Sequence, residues 1–383
     1  MPEPLTPAQL TQALAVRDLT DPAAGPHAVQ LLVDQAVDAL ARRWSCSVRW
    51  WRGDRVVTVA DNYDNLGYHP GDVTRDARYT RYVDQDHVLR SHSTALVPAA
   101  LRQLAARPAD DVLLVCPGLV YRRDSIDRLH SGTPHQLDLW RITRGRTTRA
   151  DLEDMVAELT PGWRRRLEPR LHPYTVDGAQ LDVEHDGRWV EVAECGLVHP
   201  AVLERAGLGG TWSGLALGLG LDRMLMLCKG IPDIRLLRSA EPAVAAQMTG
   251  LAPYRPVSAL PPVRRDLSIA VAADDRAEDL GDRVRDALGD DADVVESVEI
   301  RQETPCAALP PAALARLGAR RDQKNLLVRL VLRPLGRTLS DHEANVLRDR
   351  AYAALHRGAV HQWAGSGLQA PQGEHGEPPG LRR

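Results

Sequence analysis

Residues 120–142, "VYRRDSIDRLHSGTPHQLDLWRI", gather Arg122, Arg123, Asp124, Asp127, His130, His135, Gln136 and Asp138 between two short apolar runs. Side chains alternate across a strand, so Gln136 and Asp138 share one face of "QLDLWRI" while Leu137 and Leu139 take the other, and Arg122 and Asp124 share a face of "YRRD". Paired as a hairpin, the two segments line one floor. A guanidinium there grips phosphate or carboxylate oxygens bidentately, and a nearby carboxylate and amide hold an ammonium or a sugar hydroxyl. The combination suits a zwitterion beside a nucleotide. A solvated turn laced with surface ion pairs, each contributing about 0–1 kcal/mol, accounts for the same charges. His130 and His135 are separated by Pro134 at a spacing unlike that of helical metal ligands, and no cysteine assists them.

A second group is "GLALGLGLDR", residues 214–223. Its glycines at 214, 218 and 220 remove side chains where a strand hands over to a helix, which lets a flat ligand or another backbone come close. Asp222 and Arg223 follow as the helix opens, placing another cation beside that surface. Tight packing of the helix on a sheet would explain the glycines equally well.

The elements that must position these groups are mixed α and β. Val29, Leu32, Val33, Ala36, Val37 and Leu40 recur at helical spacing over 29–43. Turn residues over a sheet fill 50–81, a second helix runs from about Thr94 to Ala106, and Val112 to Cys116 reads as a buried strand. Beyond Pro253, Pro256, Pro261 and Pro262 the texture changes to strand, helix (276–288), strand (294–301), strand (326–333) and helix (341–357), the last opened by a Ser340/Glu343 capping box. The expected organisation is one unit over 1–245, a second over 253–364, and a tail over 365–383 without apolar periodicity.

A chain of 383 residues has room for two cores, and 44% hydrophobic residues with a net charge of -3 describe a folded protein without a strong overall field. Binding to nucleic acid must therefore come from a local basic patch. Five scattered cysteines without a C-x-x-C pair suit a reducing cytoplasm, and no run of eighteen apolar residues offers a membrane span. Lysine occurs only at Lys229 and Lys324, and phenylalanine is absent.

Together the charged turn and the glycine-lined junction resemble motifs 2 and 3 of class II aminoacyl-tRNA synthetases, and most closely phenylalanyl-tRNA synthetase in its single-chain form. "NYDNL" at 62–66, "LRSHST" at 89–94, "ECGLVHPAVLERAG" and "GIPDIRLL" are similar to further segments of that family's catalytic domain. "PYRPVSALPPVRRDLSIAV" and "RTLSDHEAN" resemble its ferredoxin-like anticodon-binding domain. The implied fold is α+β: a catalytic domain on an antiparallel sheet, then a ferredoxin-like α/β sandwich.

The resemblance implies ATP and Mg2+, tRNA(Phe), an aromatic amino acid, a cytoplasmic location and a monomer or homodimer. It places Arg122 and Arg223 in catalysis, with Asp124, His130, Gly218 and Gly220 also on ATP and Glu191 on the metal. His92, Thr94, Gln136 and Asp138 would hold the amino acid's α-amino end, while Ala216 and Leu217 would floor the ring pocket. Arg255, Arg264, Arg265 and Arg337 would meet tRNA, together with Arg329 and Arg333. The family's Phe-Pro-Phe stands here as His172-Pro173-Tyr174, whose polar atoms need partners. That departure extends the expected substrates from phenylalanine to hydroxylated or otherwise altered rings. Two alternatives are an adenylating paralogue of secondary metabolism and a tRNA-binding module without catalysis.

Overall fold

The computed structural model describes residues 4–257, 260–335 and 337–361. The expected tail over 365–383 lies outside the described residues. In chain order the strands are β1 (Ser47–Trp50), β2 (Val56–Thr58), β3 (Arg81–Tyr82), β4 (His87–Leu89), β5 (Asp111–Leu119), β6 (His135–Arg144), β7 (Arg165–Pro169), β8 (Thr175–His185), β9 (Arg188–Val198), β10 (Trp212–Gly220), β11 (Val263–Ala272), β12 (Val295–Pro305) and β13 (Gln323–Leu332). The largest sheet has the order β1-β5-β6-β10-β9-β8-β7 and is antiparallel except for the β1/β5 pair.

Alternation along these strands feeds two cores. Leu113, Val115, Leu137, Leu139 and Leu217 point to one face, covered by the helices Ala28–Trp44 and Arg149–Leu159. Val112, Leu114, Trp140, Ile142 and Ala216 point to the other, covered by the helix Val97–Ala106. Leucine, valine, methionine and one buried tryptophan fill the volume that phenylalanine occupies in other cores. The small sheet β2-β4-β3 starts within 50–81, the stretch that reads as short strand-like pieces and turns in sequence, and extends to Leu89.

The third sheet has the order β11-β13-β12. Helices Ala277–Leu288 and Asp341–Leu355 cover one of its faces, giving the β-α-β-β-α succession of a ferredoxin-like sandwich with three strands among the described residues. The second helix begins with the capping box read from sequence: Ser340 accepts the Glu343 N–H, and Glu343 accepts the Ser340 N–H. Its Ala344, Leu347, Ala351 and Leu355 are buried in that core. One residue of the core comes from far away in sequence. Ile126, in the connection between β5 and β6, packs into it, and its carbonyl accepts the Val298 N–H at 2.9 Å.

Candidate active site

Pairing of β6 with β10 sets Gly218 opposite Asp138 and Gly220 opposite Gln136. The polar side chains of β6 therefore stand beside positions with no side chain. Arg122 and Asp124 do not extend that floor as strand residues, as the hairpin reading expected. Strand β5 ends at Leu119, and residues 120–134 form a loop. Pro134 has no N–H to continue the ladder, while its carbonyl accepts the Val120 N–H and that of Gly132 accepts the Arg122 N–H, each at 2.9 Å.

From this loop the Arg122 Nε donates to the Ser91 carbonyl at 3.0 Å. Arg223 lies in the first turn of the helix Leu221–Lys229, where Nη1 donates to the Glu191 carbonyl at 2.9 Å. Both guanidinium groups border one cavity of about 170 Å³, together with Asp124, His130, Glu191 and Gly220. Arg122, Gln136, Glu194 and Gly218 also border a second cavity, of about 330 Å³. Two compartments thus meet at Arg122. One is bordered by Arg122 and Arg223, and the other by the buried Asp138, the partly exposed Glu194 and aromatic rings.

In the second cavity Asp138 is almost fully buried, and Ser93 Oγ (2.5 Å), Trp140 Nε1 (2.9 Å) and Thr94 Oγ1 (3.2 Å) all donate to its carboxylate. Burial pushes this carboxyl up to about 6, against the opposite pull of those three donors. Gln136 presents its oxygen to the Ser93 N–H at 3.1 Å. His92 lines the same space, with both ring nitrogens shielded from solvent. Burial, and then the charge of Arg122, push the His92 ring down to about 3, so it is neutral at pH 7.

The rings form a chain. His172 stacks on Tyr174 at 5.5 Å, Tyr174 stacks on Trp140 at 5.9 Å, and Tyr68 sits 6.4 Å from Tyr174 and 5.9 Å from His92. Tyr68 and Tyr174 line the cavity, whereas His172 stands behind Tyr174. Ala216 lies on the cavity side of the sheet, opposite Trp140. Leu217, expected at the pocket floor, instead points into the opposite core, because its neighbour Ala216 holds the cavity-facing parity.

His135 is wholly buried. Its Nδ1 donates to Asp222 at 2.7 Å, its own N–H reaches the same carboxylate at 3.1 Å, and Nε2 accepts the Leu19 N–H at 3.0 Å. His130 is held by Asp127, at 2.7 Å from Nδ1. Each histidine is thus committed to a carboxylate, and no group of three metal-ligating side chains occurs among the described residues.

A family model described as tRNA synthetases class II core domain (F) matches residues 23–248, more than half of the 383-residue chain. The chain belongs to the class II tRNA synthetase core family. It is 34% identical over 237 residues to the Phenylalanine--tRNA ligase alpha subunit of Prochlorococcus marinus, covering 58% of this chain and 68% of that protein. It is 35% identical over 194 residues to the Psychrobacter arcticus Phenylalanine--tRNA ligase alpha subunit, covering 48% of this chain and 53% of that one. The chain thus spans about half to two thirds of the length of these curated relatives. A solved pyrrolysyl tRNA synthetase of Desulfitobacterium hafniense is 18% identical, with a TM-score of 0.44 over 60% of this chain and 77% of that chain.

In this class II core, Glu191 and Glu194 reach the same cavity although they stand three apart on β9. A regular strand would send them to opposite faces. The register against β8 slips between Leu181 and Asp182, leaving Val192 as the extra residue of a bulge that re-aims the chain. Burial and the charge of Glu194 raise the Glu191 carboxyl, and no side chain among the described residues pairs with it. One or two carboxylates that complete their shell with phosphate oxygens are the usual surroundings of Mg2+, so Glu191 fits that ion.

The loop that carries Arg122 is held from the C-terminal side. Arg285 donates from its two terminal nitrogens to the carbonyls of Asp124 and Ser125, at 2.5 and 2.8 Å. Buried Asp282 receives Arg81 at 2.7 Å and stands 3.3 Å from Arg123. Sequence patterning gave no sign of these contacts, because they join residues more than 150 positions apart.

Of the arginines expected to meet tRNA, Arg265 is held by Asp341 and Asn345, Arg337 by Glu343, Arg329 by Asp266 and Arg333 by Glu296. Among the described residues Arg255 and Arg264 alone of the six keep guanidinium groups without such a partner. No described helix is long and apolar enough to cross a membrane.

Proposed function

We propose that the chain activates phenylalanine or a related aromatic amino acid with ATP and transfers it to tRNA(Phe). In the first step a carboxylate oxygen of the amino acid attacks the α-phosphorus, an acyl-phosphate bond forms, and the bond to pyrophosphate breaks. In the second, a hydroxyl of the terminal ribose of tRNA attacks the acyl carbon, gives up its proton, and AMP leaves. Neither step requires a covalent enzyme intermediate, so positioning and neutralisation of charge carry the catalysis.

Arg122, at the junction of the two compartments, would bridge the attacking carboxylate and the α-phosphate, and Arg223 would cover the nucleotide lying over Gly218 and Gly220. Asp124 and His130 would hold ATP from the loop side. Asp138, with Gln136, Thr94 and His92, would receive the ammonium end, so that the amino acid is fixed at both charges. Mg2+ on Glu191 would screen the phosphates when bound. Residues 1–245 would carry this chemistry as a monomer or homodimer in the cytoplasm, while 253–364 would bind tRNA through Arg255 and Arg264.

The observation that carries the reading is that Arg122 and Arg223, 101 positions apart, border one cavity that opens at Arg122 and Gln136 into the pocket of Asp138. The purified chain is expected to exchange labelled pyrophosphate into ATP only when an aromatic amino acid is present, and to charge tRNA(Phe). An amino acid panel that supports no exchange, at any concentration of ATP and Mg2+ tried, would sink it.

A further inference from the structure

Asp222 and Arg223 are neighbours at the start of the helix Leu221–Lys229, and His135 and Gln136 are neighbours at the start of β6. Arg223 and Gln136 border the cavities, whereas the other member of each pair turns inward. His135 shows none of its surface to solvent and shares the strand parity of Leu137 and Leu139, away from Gln136 and Asp138. Asp222 is nearly as buried.

The tie between these two is bidentate. One carboxylate oxygen of Asp222 accepts from His135 Nδ1 at 2.7 Å, and the other accepts the His135 N–H at 3.1 Å. Since Nε2 accepts the Leu19 N–H at 3.0 Å, the ring is anchored from both sides. The ladder between β10 and β6 ends where Gly220 meets Gln136, and Gly220, at the helix N-cap, has no side chain with which to fix the first turn. Asp222 fixes it instead. The direction in which Arg223 leaves the sheet therefore depends on His135.

A third member reaches the loop that carries Arg122. Arg238 closes the short helix Ile234–Arg238, where its Nη1 donates to Thr133 Oγ1 at 2.8 Å and its Nη2 to the Thr133 carbonyl. The same Nη2 stands 3.5 and 3.4 Å from the two ring nitrogens of His135. Thr133 follows Gly132, whose carbonyl accepts the Arg122 N–H at 2.9 Å. One buried cluster thus joins the loop of Arg122, the strand of Gln136 and the helix of Arg223.

We propose that His135, Asp222 and Arg238 are positioning residues that set the spacing between Arg122 and Arg223, and so keep the amino acid carboxylate in line with the α-phosphate. The inference rests on the adenylate-forming reading above and adds to it three residues that act through others. In-line attack tolerates little misplacement, since a shift of about 1 Å costs on the order of 100-fold in rate. Loosening the cluster acts on kcat more than on the binding of either substrate alone, because each substrate keeps its own contacts.

The test uses the full chain with Mg2+, ATP and the amino acid that best supports pyrophosphate exchange. Glutamine places its amide where Nε2 lies, and asparagine where Nδ1 lies. His135→Gln therefore keeps an acceptor for Leu19 and drops the bond to Asp222, whereas His135→Asn does the reverse. His135→Gln is expected to lower kcat about 10–100-fold, with affinities for ATP alone and for the amino acid alone within about threefold of the parent by calorimetry. His135→Asn is expected to recover kcat to within about fivefold of the parent. Arg238→Lys keeps the charge but loses the two-pronged grip on Thr133, and the same loss confined to kcat is expected. It carries the test if His135→Gln does not fold by circular dichroism. Full kcat in a folded His135→Gln or Arg238→Lys, even with a lower denaturation midpoint, overturns the inference and leaves the cluster a structural one. Equal losses in the glutamine and asparagine variants overturn it as well. Should the parent exchange no pyrophosphate with any amino acid, the adenylate reading itself fails, and the inference falls with it.

Discussion

Gly281 lies so close to the carbonyl oxygen of Asp124 that a Cβ built on it would stand only 2.6 Å away, with the Ile126 N at 3.2 Å. A helix of the C-terminal unit thus rests against the backbone of the loop that presents Arg122. In an open helix, Gly→Ala is worth about 1 kcal/mol of added stability. Here the neighbour is backbone and cannot swing aside, so overlap wins. Gly281→Ala is expected to cost about 1–3 kcal/mol in urea denaturation and to lower kcat/KM for ATP in pyrophosphate exchange. An alanine variant as stable and active as the parent would show that the loop is not shaped by this contact.

Asp222 carries a larger share of stability. It holds the His135 ring and backbone, and its charge faces the buried Arg238. Burial raises its carboxyl, but His135 and Arg238 outweigh that and keep it below the usual carboxylate range. Removing it leaves the buried His135 ring and N–H without their acceptor and takes away one of the carboxylates that face Arg238. Asp222→Ala is expected to lose on the order of 3–5 kcal/mol, seen as a lower denaturation midpoint with little change in slope.

A pH dependence follows from Asp138. Only the ionised carboxylate holds an ammonium group, and burial places its titration at about 6 rather than 3.8. Affinity for the amino acid is therefore expected to rise about tenfold per pH unit below that value and to level off above it. The same group acts oppositely on stability. The folded chain keeps this proton longer than the unfolded one, so the contribution falls as pH rises from 3.8 to about 6. Asp138→Asn should flatten both profiles, read by KM for the amino acid and by melting temperature.

Binding of tRNA is expected to depend on few charges. Arg264→Glu and Arg255→Glu should weaken tRNA affinity and lower the slope of log affinity against log salt by about one each. Arg337→Glu, whose guanidinium is already neutralised by Glu343, should do less. Equal effects from all three would mean that the ion pairs open on binding.

Much of this architecture was written locally. The two-residue alternation around Asp138, the capping box at Ser340 and the three- and four-residue spacing of Val29, Val33, Val37 and Leu40 rest on neighbours in the chain, which is why sequence by itself determined those elements and the shared face of Gln136 and Asp138. The glycines of β10 and the cations at 122 and 223 were legible as residue types, and the wider pattern marked the class II family. Tertiary structure decided the rest. Leu217 turns away because pairing with β6 sets the parity of β10. Glu191 reaches the same cavity as Glu194 because a bulge against β8 re-aims β9. Asp222 meets His135 across 87 positions, and Gly281 meets Asp124 across a still longer stretch. Such contacts are chosen by register and by the docking of whole sheets and helices, and no local pattern of residues carries that information.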